Sequence, residues 1–293
     1  MTLASAPSTA PFASRATASR PDARVRDALG AFLDGRRVLA LTGAGVSTDS
    51  GIPDYRGPNA PAREPMRYRT FVGDVAARRR YWARSAVGWP RTRAARPNPV
   101  HRALARLERA GRVSAVLTQN VDGLHQRGGS DRVLELHGGL ATTVCLDCGT
   151  RAGRDALQER IRAANPGFAP ETVALAPDGD VPLADAVAER FVVPDCLRCR
   201  GRLKPNVTFF GENVPRERVD RAFRLLREAD ALLVLGSSLT VFSGYRFVRE
   251  ARRCGLPVAI VNDGPTRGDG DATLRVHGRL DPVVTGAASD LAP

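Results

Sequence analysis

Short apolar stretches that alternate with helical ones, polar residues gathered where those stretches end, and a glycine turn directly behind the first of them predict an α/β fold. The expected form is a Rossmann-like, doubly wound parallel sheet. Two Cys-x-x-Cys pairs that flank a long excursion predict a small domain inserted into it, a helical lobe plus a zinc ribbon.

In chain order, residues 1–22 read as a disordered tail. The first 20 hold no acid, are rich in Ser, Thr and Ala, and include Arg15 and Arg20. Mitochondrial transit peptides and unstructured bacterial N-termini share that composition. Residues 23–34 read as an amphipathic helix, followed by a short strand from Arg37 to Leu41 and the turn Thr42-Gly43-Ala44-Gly45-Val46-Ser47. Residues 57–100, rich in Pro, Arg and aromatic side chains and helical near 71–86, read as a helical insertion. A helix over 101–110 leads to a second strand, Val113 to Leu117, which runs into Thr118-Gln119-Asn120-Val121-Asp122. A third strand, Arg132 to Leu136, ends at His137-Gly138-Gly139. Residues 145–201 carry the cysteine pairs. Helices over 215–229 and near 244–254, with buried strands Ala231 to Leu235 and Val258 to Val261, complete the alternation. The large domain is therefore expected over 23–56, 101–144 and 202–285, with 286–293 as a C-terminal tail.

Composition narrows the function classes. Hydrophobic residues make up 43% of the chain, and no run of 18 apolar residues is present, so a membrane partner is not expected. The formal charge is +13, from 44 Lys+Arg against 31 Asp+Glu. Lys204 is the only lysine, and the arginines are dispersed along the chain, which is the pattern of a solvated surface. A specific nucleic-acid partner is therefore not expected, although a zinc-ribbon nucleic-acid binder stays open as a rival. A monomer is expected.

The motifs carry more. Gly43-x-Gly45 behind a strand can offer backbone N–H groups to phosphate. The third glycine of the dinucleotide fingerprint is missing, and no acidic residue ends a second strand about 20 positions on, which counts against an ordinary nicotinamide dehydrogenase. Cys145, Cys148, Cys196 and Cys199 make a four-thiolate set, which would close around one structural Zn²⁺ and leave no open position. A redox Cys-x-x-Cys is the rival reading for either pair alone. Cys254, in a helical segment, reads as a buried packing residue.

Six blocks then appear in order: GAGVSTDSGIPDYRG (43–57), TQNVDGLH (118–125), ELHGG (135–139), KPNVTFFGENVP (204–215), GSSLTVFSG (236–244) and VND (261–263). Together they resemble the sirtuins, NAD-consuming protein deacylases. Tyr81-Trp82-Ala83-Arg84, Gly88-Trp89-Pro90, Ser243-Gly244-Tyr245-Arg246-Phe247 and Gly264-Pro265-Thr266-Arg267 look like the class II branch. That branch contains the mitochondrial sirtuin known for weak deacetylation and for broader deacylase, lipoamidase and ADP-ribosyl-transfer activities.

The resemblance implies NAD as co-substrate, an acylated-lysine protein as partner, and release of nicotinamide, 2′-O-acyl-ADP-ribose and free lysine. It implies that Gly43, Ala44, Gly45 and Ser47 approach the phosphates, with Gly236, Ser237 and Ser238 opposite. Ile52, Asn120 and Asp122 would line the nicotinamide pocket, with Pro53, Gln119 and Val121 as further NAD contacts. Asp54, Tyr55 and Arg56 would form the loop that closes over it, with Tyr55 where many sirtuins carry Phe. Asn262 would meet ribose hydroxyls, with Asp263, Gly264 and Leu280 as further NAD contacts. His137 is the implied general base, with Asn120 as its catalytic companion; His125 would brace the loop, and His101 and His277 would be structural. Val207, Phe209, Phe210, Gly211 and Glu212, on an apolar strand from Val207 to Phe210, would pair with substrate from one side, and Val241, Phe242 and Ser243 from the other. The cytoplasm of a bacterium is the expected compartment, with the mitochondrial matrix as alternative. The rival functions are protein mono-ADP-ribosyl transfer from the same NAD site and a regulatory NAD- or ADP-ribose-binding module.

Overall fold

The computed structural model describes residues 23–55, 65–170, 176–181, 183 and 185–292. The tail expected over 1–22, Arg56 and the start of the helical insertion lie outside the described residues. Helix α1 (Ala23–Leu33) buries Leu29, Phe32 and Leu33, one apolar stripe at helical spacing. Strand β1 (Val38–Thr42) is buried along its whole length. Helices α2 (Tyr68–Gly73) and α3 (Val75–Ala94) form the helical stretches expected near 71–86 and extend beyond them at both ends. Asp74 divides them, because its carboxylate accepts from Ala76 N and Ala77 N and so caps α3. Helix α4 (Pro99–Arg109) starts on Asn98, which accepts from Val100 N and His101 N, with Pro99 at the first turn; Val100, Ala103, Leu104 and Leu107 form its buried stripe.

Next come β2 (Val113–Thr118), a single turn α5 (Leu124–Arg127), β3 (Val133–Glu135), β4 (Gly138–Cys145), β5 (Arg151–Gly153), α6 (Arg154–Ala164), α7 (Asp185–Ala188) and β6 (Leu203–Val207). The chain closes through α8 (Arg216–Arg227), β7 (Ala231–Leu235), α9 (Phe242–Arg253), β8 (Val258–Asn262), β9 (Leu274–His277) and α10 (Leu280–Leu291).

Six strands form one sheet in the order β3-β2-β1-β7-β8-β9, and every pairing is parallel. Residues of α1, α4 and α10 cover one face, including Leu33, Leu104 and Val284. Residues of α8 and α9 cover the other, including Leu226 and Phe247. Burial on both faces explains why β1 and β7 read as continuous apolar runs without alternation. The strand order reverses between β1 and β7, so the loops that leave these neighbours diverge and open a crevice at their C-terminal ends.

A three-stranded antiparallel sheet, β5-β4-β6, carries the cysteine knuckles. Its strands reach back to Gly138 and on to Val207, past the 145–201 span of the expected small domain, because the knuckles need a paired base. Gly149 N donates to Cys145 O and Arg200 N to Cys196 O, closing each Cys-x-x-Cys turn. The four Sγ atoms lie within 4.8 Å of one another. Cys145 and Cys199 stand 3.5 Å apart, and Cys148 and Cys196 3.8 Å. Four sulfurs ~2.3 Å from one tetrahedral ion would be ~3.8 Å apart, so the set fits Zn²⁺.

Three expectations change. The C-terminal tail is the end of α10, whose Ala287 and Ala288 are fully buried in the core; its small residues let it lie close to α1, where Gly286 meets the Arg26 side chain. The strand expected from Val207 to Phe210 ends at Val207, since Thr208 N donates to His137 O and the Phe210 carbonyl accepts from Tyr68 N. Cys254 is exposed, following the last turn of α9.

Because metal binding and folding are one event in such knuckles, purified protein should hold about one zinc per chain. Cys145→Ser or Cys199→Ser should lose metal and thermal stability together, read by elemental analysis and a melting curve. A metal-free wild type with an unchanged melting curve would contradict the assignment.

Candidate active site

The crevice at the β1/β7 reversal is a cleft of about 1060 Å3. Its floor is backbone. Gly43 N donates to Leu235 O at 3.0 Å and Gly45 N to Gly236 O at 2.9 Å. A Cβ on Gly43 would meet Gly236 O and Ser237 Cβ at 2.7 Å, so the two loops touch only because no side chain intervenes. Leu239 follows in the left-handed region with φ 55°, an uncommon conformation for a non-glycine residue, and its N–H donates to Ser237 Oγ.

The residues after β2 tie the halves together. Gln119 Nε2 donates to Ser237 Oγ at 2.8 Å. Asn120 Nδ2 donates to Gly43 O at 3.0 Å and to Ser47 Oγ at 3.1 Å. The Ser47 hydroxyl donates to Asp122 Oδ2 at 2.7 Å, and Leu124 N to Asp122 Oδ1 at 2.8 Å. Burial pushes the Asp122 carboxyl up against these bonds, which favour its charge.

His137 closes the inner wall. Its Nδ1 lies 3.0 Å from Gln119 O and its Nε2 2.8 Å from Ser243 Oγ. A carbonyl can only accept, so Nδ1 carries the proton and Nε2 presents its lone pair, which accepts from the Ser243 hydroxyl. Burial pushes the imidazole down to about 4, and Arg218 and Arg246 act in the same direction against the Gln119 bond. His137 is therefore a neutral base at pH 7. Gly138 follows it with φ 80°, and a Cβ there would run into Asn206 O, so the backbone can turn from His137 into β4 only at a glycine.

The other histidines are set apart. His125 is buried with Nε2 2.9 Å from Thr42 Oγ1, which in turn donates to Thr118 Oγ1, so it braces the ends of β1 and β2. His101 lies in the α4 cap, its Nδ1 2.9 Å from Asn98 Oδ1.

The outer flank is a clip. Glu212 Oε2 accepts from Phe209 N at 2.8 Å and from Lys204 Nζ at 2.9 Å, and that ammonium also donates to Val207 O. The Lys204 ammonium stands 4.6 Å from the Phe209 ring centroid. Tyr55 meets the Phe210 ring edge-on at 5.9 Å between centroids, joining the loop after Ile52 to this flank.

Of the residues singled out from the sequence for NAD and substrate, those described line the cleft, with one exception. Phe242 stands outside the lining, with its ring exposed at the first position of α9. The lining also includes Arg246, which stood in the class II block without a role, and Met66, Asp178 and Arg279, which no motif marked. Arg279 pairs with Asp49 at 3.1 Å across the rim. Such pairings join positions 230 apart in sequence, so no local pattern could announce them.

A sequence profile of the Sir2 family matches residues 43–243. An NAD-dependent protein deacetylase 1 of Mycobacterium avium (strain 104) is 53% identical over 268 residues, 90% of this chain and 94% of that protein. The NAD-dependent protein lipoamidase sirtuin-4, mitochondrial, of Bos taurus is 48% identical over 249 residues, 83% of this chain and 79% of that protein. Among solved structures, one described as "Sir2-p53 peptide-NAD+" superposes with a TM-score of 0.69 at 32% identity, covering 89% of this chain and 95% of that one.

The depressed imidazole has a direct readout. In an NMR titration of the folded protein, the His137 ring should stay neutral through the usual histidine range and titrate near pH 4. A midpoint between pH 6 and 7 would contradict the geometry described (about the unperturbed value).

Proposed function

The chain belongs to the Sir2 family, and we propose that it removes acyl groups from protein lysines with consumption of NAD, giving nicotinamide, 2′-O-acyl-ADP-ribose and free lysine. The observation that carries this reading is the neutral imidazole of His137, placed between a backbone cradle and two polypeptide-sized flanks in one cleft.

The residues present fit NAD. The Gly43 and Gly236 loops form a cradle that a Cβ would fill, at the strand reversal where such folds take dinucleotides. The cleft, about 1060 Å3, is large enough for a dinucleotide beside an acyl-lysine side chain. When bound, NAD supplies the activated ribose carbon and the nicotinamide leaving group. Gly43, Ala44 and Gly45 approach the phosphates, with Ser237 and Ser238 adding hydroxyl donors. Ile52, Asn120 and Asp122 hold the nicotinamide side, where the Ser47 hydroxyl fixes the Asp122 carboxylate. Asn262 sits at the end of β8, suited to ribose hydroxyls.

His137 takes a proton from a ribose hydroxyl at Nε2, the nitrogen left without hydrogen by the Nδ1 bond to Gln119. The Ser243 hydroxyl, which donates to that nitrogen, would give way to the ribose hydroxyl. The substrate backbone lies between Phe209–Glu212 and Val241–Ser243 and pairs through its main chain, which leaves side-chain selectivity loose. Arg56, outside the described residues, would close over the nicotinamide with Asp54 and Tyr55, as the resemblance implies. The zinc knuckles hold the small domain and take no part in the reaction. The division into a Rossmann-like domain and an inserted lobe with zinc ribbon belongs to this reading. So does a monomeric enzyme of the bacterial cytoplasm, a setting consistent with the Mycobacterium relative.

The steps separate by mutation. His137→Ala should lower acyl-lysine turnover ~10²–10⁴-fold while keeping exchange of labelled nicotinamide into NAD. Asp122→Ala should lose exchange and turnover together. Circular dichroism controls for folding; folded His137→Ala that deacylates at the wild-type rate would remove His137 from the mechanism.

A further inference from the structure

Phe242 is the residue that the cleft leaves out, and its surroundings are unusual. Its ring is 48% exposed at the first position of α9. Three guanidinium groups surround it: Arg246 at 5.7 Å from the ring centroid, Arg249 at 6.0 Å and Arg267 at 5.9 Å. Arg267 also lies 4.5 Å over Tyr245.

None of the three arginines forms an ion pair among the described residues. The neighbouring carboxylates are engaged elsewhere. Glu250 binds Arg253 at 2.6 Å, Asp269 binds Arg275 at 3.1 Å, and Asp271 accepts from the Tyr245 hydroxyl at 2.9 Å. Arg246 Nε is buried without a hydrogen-bond partner. The first turn of α9 holds no acid, and Val241 gives it no side-chain cap, so the helix start adds positive potential to the patch. Three like charges gathered on one exposed aromatic ring, none in an ion pair among the described residues, is an arrangement that folding alone does not favour; it is completed by an anion from outside.

The patch is continuous with the cleft. Val241, Ser243 and Arg246 line it, and Ser243 holds His137 Nε2 at 2.8 Å. Phe242 is thus the neighbour of the residue at the base, and an extended polypeptide places successive residues ~3.3 Å apart.

We propose that the Phe242 patch, through Arg246, Arg249 and Arg267, is an exosite for Asp and Glu side chains that flank the acyl-lysine of a polypeptide substrate. The inference rests on the deacylase reading for the placement of the lysine. The aromatic ring orients the guanidinium planes, which then donate side-on to carboxylates. Main-chain pairing in the cleft leaves sequence undecided, and the exosite supplies the selectivity: acidic contexts are preferred over neutral ones, and basic contexts are rejected. Lys204, the only lysine of the chain, is buried in the Glu212 clip, so the patch is built of arginine throughout.

The test uses two acyl-lysine peptides of one length, one with Asp and Glu around the lysine and one with Ser and Gln. Exposed ion pairs are individually weak, so three together should favour the acidic peptide by ~3–10-fold in kcat/KM, carried by KM and reduced at high salt. The folded Arg249→Ala/Arg267→Ala variant should turn over both peptides alike, with the neutral one unchanged from wild type. Arg249→Glu/Arg267→Glu should favour a Lys-flanked peptide. Fluorescence anisotropy with the same peptides reads binding without turnover. If the folded protein binds the acidic peptide selectively but deacylates neither, the deacylase reading falls and the exosite stands. Equal wild-type binding and kcat/KM for both peptides would overturn the exosite. So would a preference that survives in the double-alanine variant, or a single-stranded oligonucleotide bound more tightly than the acidic peptide through the same arginines.

Discussion

The backbone of Gly43 and Gly45 lies against that of Gly236 because none of the three carries a side chain. This contact joins the ends of β1 and β7 where the sheet reverses its order, and the other parts of the cleft are arranged around it. The loop after β1 then presents Ser47 to Asp122 and Gly43 O to Asn120. The loop after β7 presents Ser237 to Gln119. A Cβ at Gly43 would stand 2.7 Å from Gly236 O and from Ser237 Cβ, inside contact distance, so the loops would have to separate and these bonds would be strained together.

Gln119 links the cradle to the chemistry. Its side chain holds Ser237, while its carbonyl fixes the His137 tautomer. The cradle and the base are therefore positioned by one residue on the C-terminal end of β2, a rigid parallel strand between β1 and β3. Burial then keeps the imidazole neutral. The same burial sets a cost in acid: the unfolded chain binds a proton at His137 from about pH 6.5 downward, whereas the folded one does so only near 4. Stability is thus complete above the unfolded value and declines as pH falls through that window. His125, buried and also pushed down to about 4, adds to the decline.

Much of this was legible in sequence because its signals are local. The glycine turn, the cysteine knuckles and the blocks at 118–125 and 135–139 each sit within a few residues, and the strands of a doubly covered sheet are continuous apolar runs. What escaped is set by tertiary contact. β9 is a four-residue edge strand with one buried side chain, too short to show a period. Helix α10 contains Pro282, Gly286 and small residues, a poor helix on propensity, and it forms because α1 and α4 cover it. Phe242 and Cys254 stand at the two ends of α9, beyond its buried stripe of Gly244, Phe247, Val248 and Ala251, so the helical period does not set their exposure. The Lys204–Glu212 clip joins an ion pair across a turn whose strand ends three residues earlier than its apolar pattern suggests.

The account stands on one claim, that the acyl group leaves lysine and arrives on ADP-ribose in the cleft that holds His137. Incubation of the purified protein with NAD and acyl-lysine peptides, followed by mass spectrometry of every product, tests it directly. The account predicts deacylated peptide, nicotinamide and O-acyl-ADP-ribose in equal amounts. Peptide that keeps its acyl group and gains ADP-ribose, or NAD left intact beside every peptide offered, would contradict it.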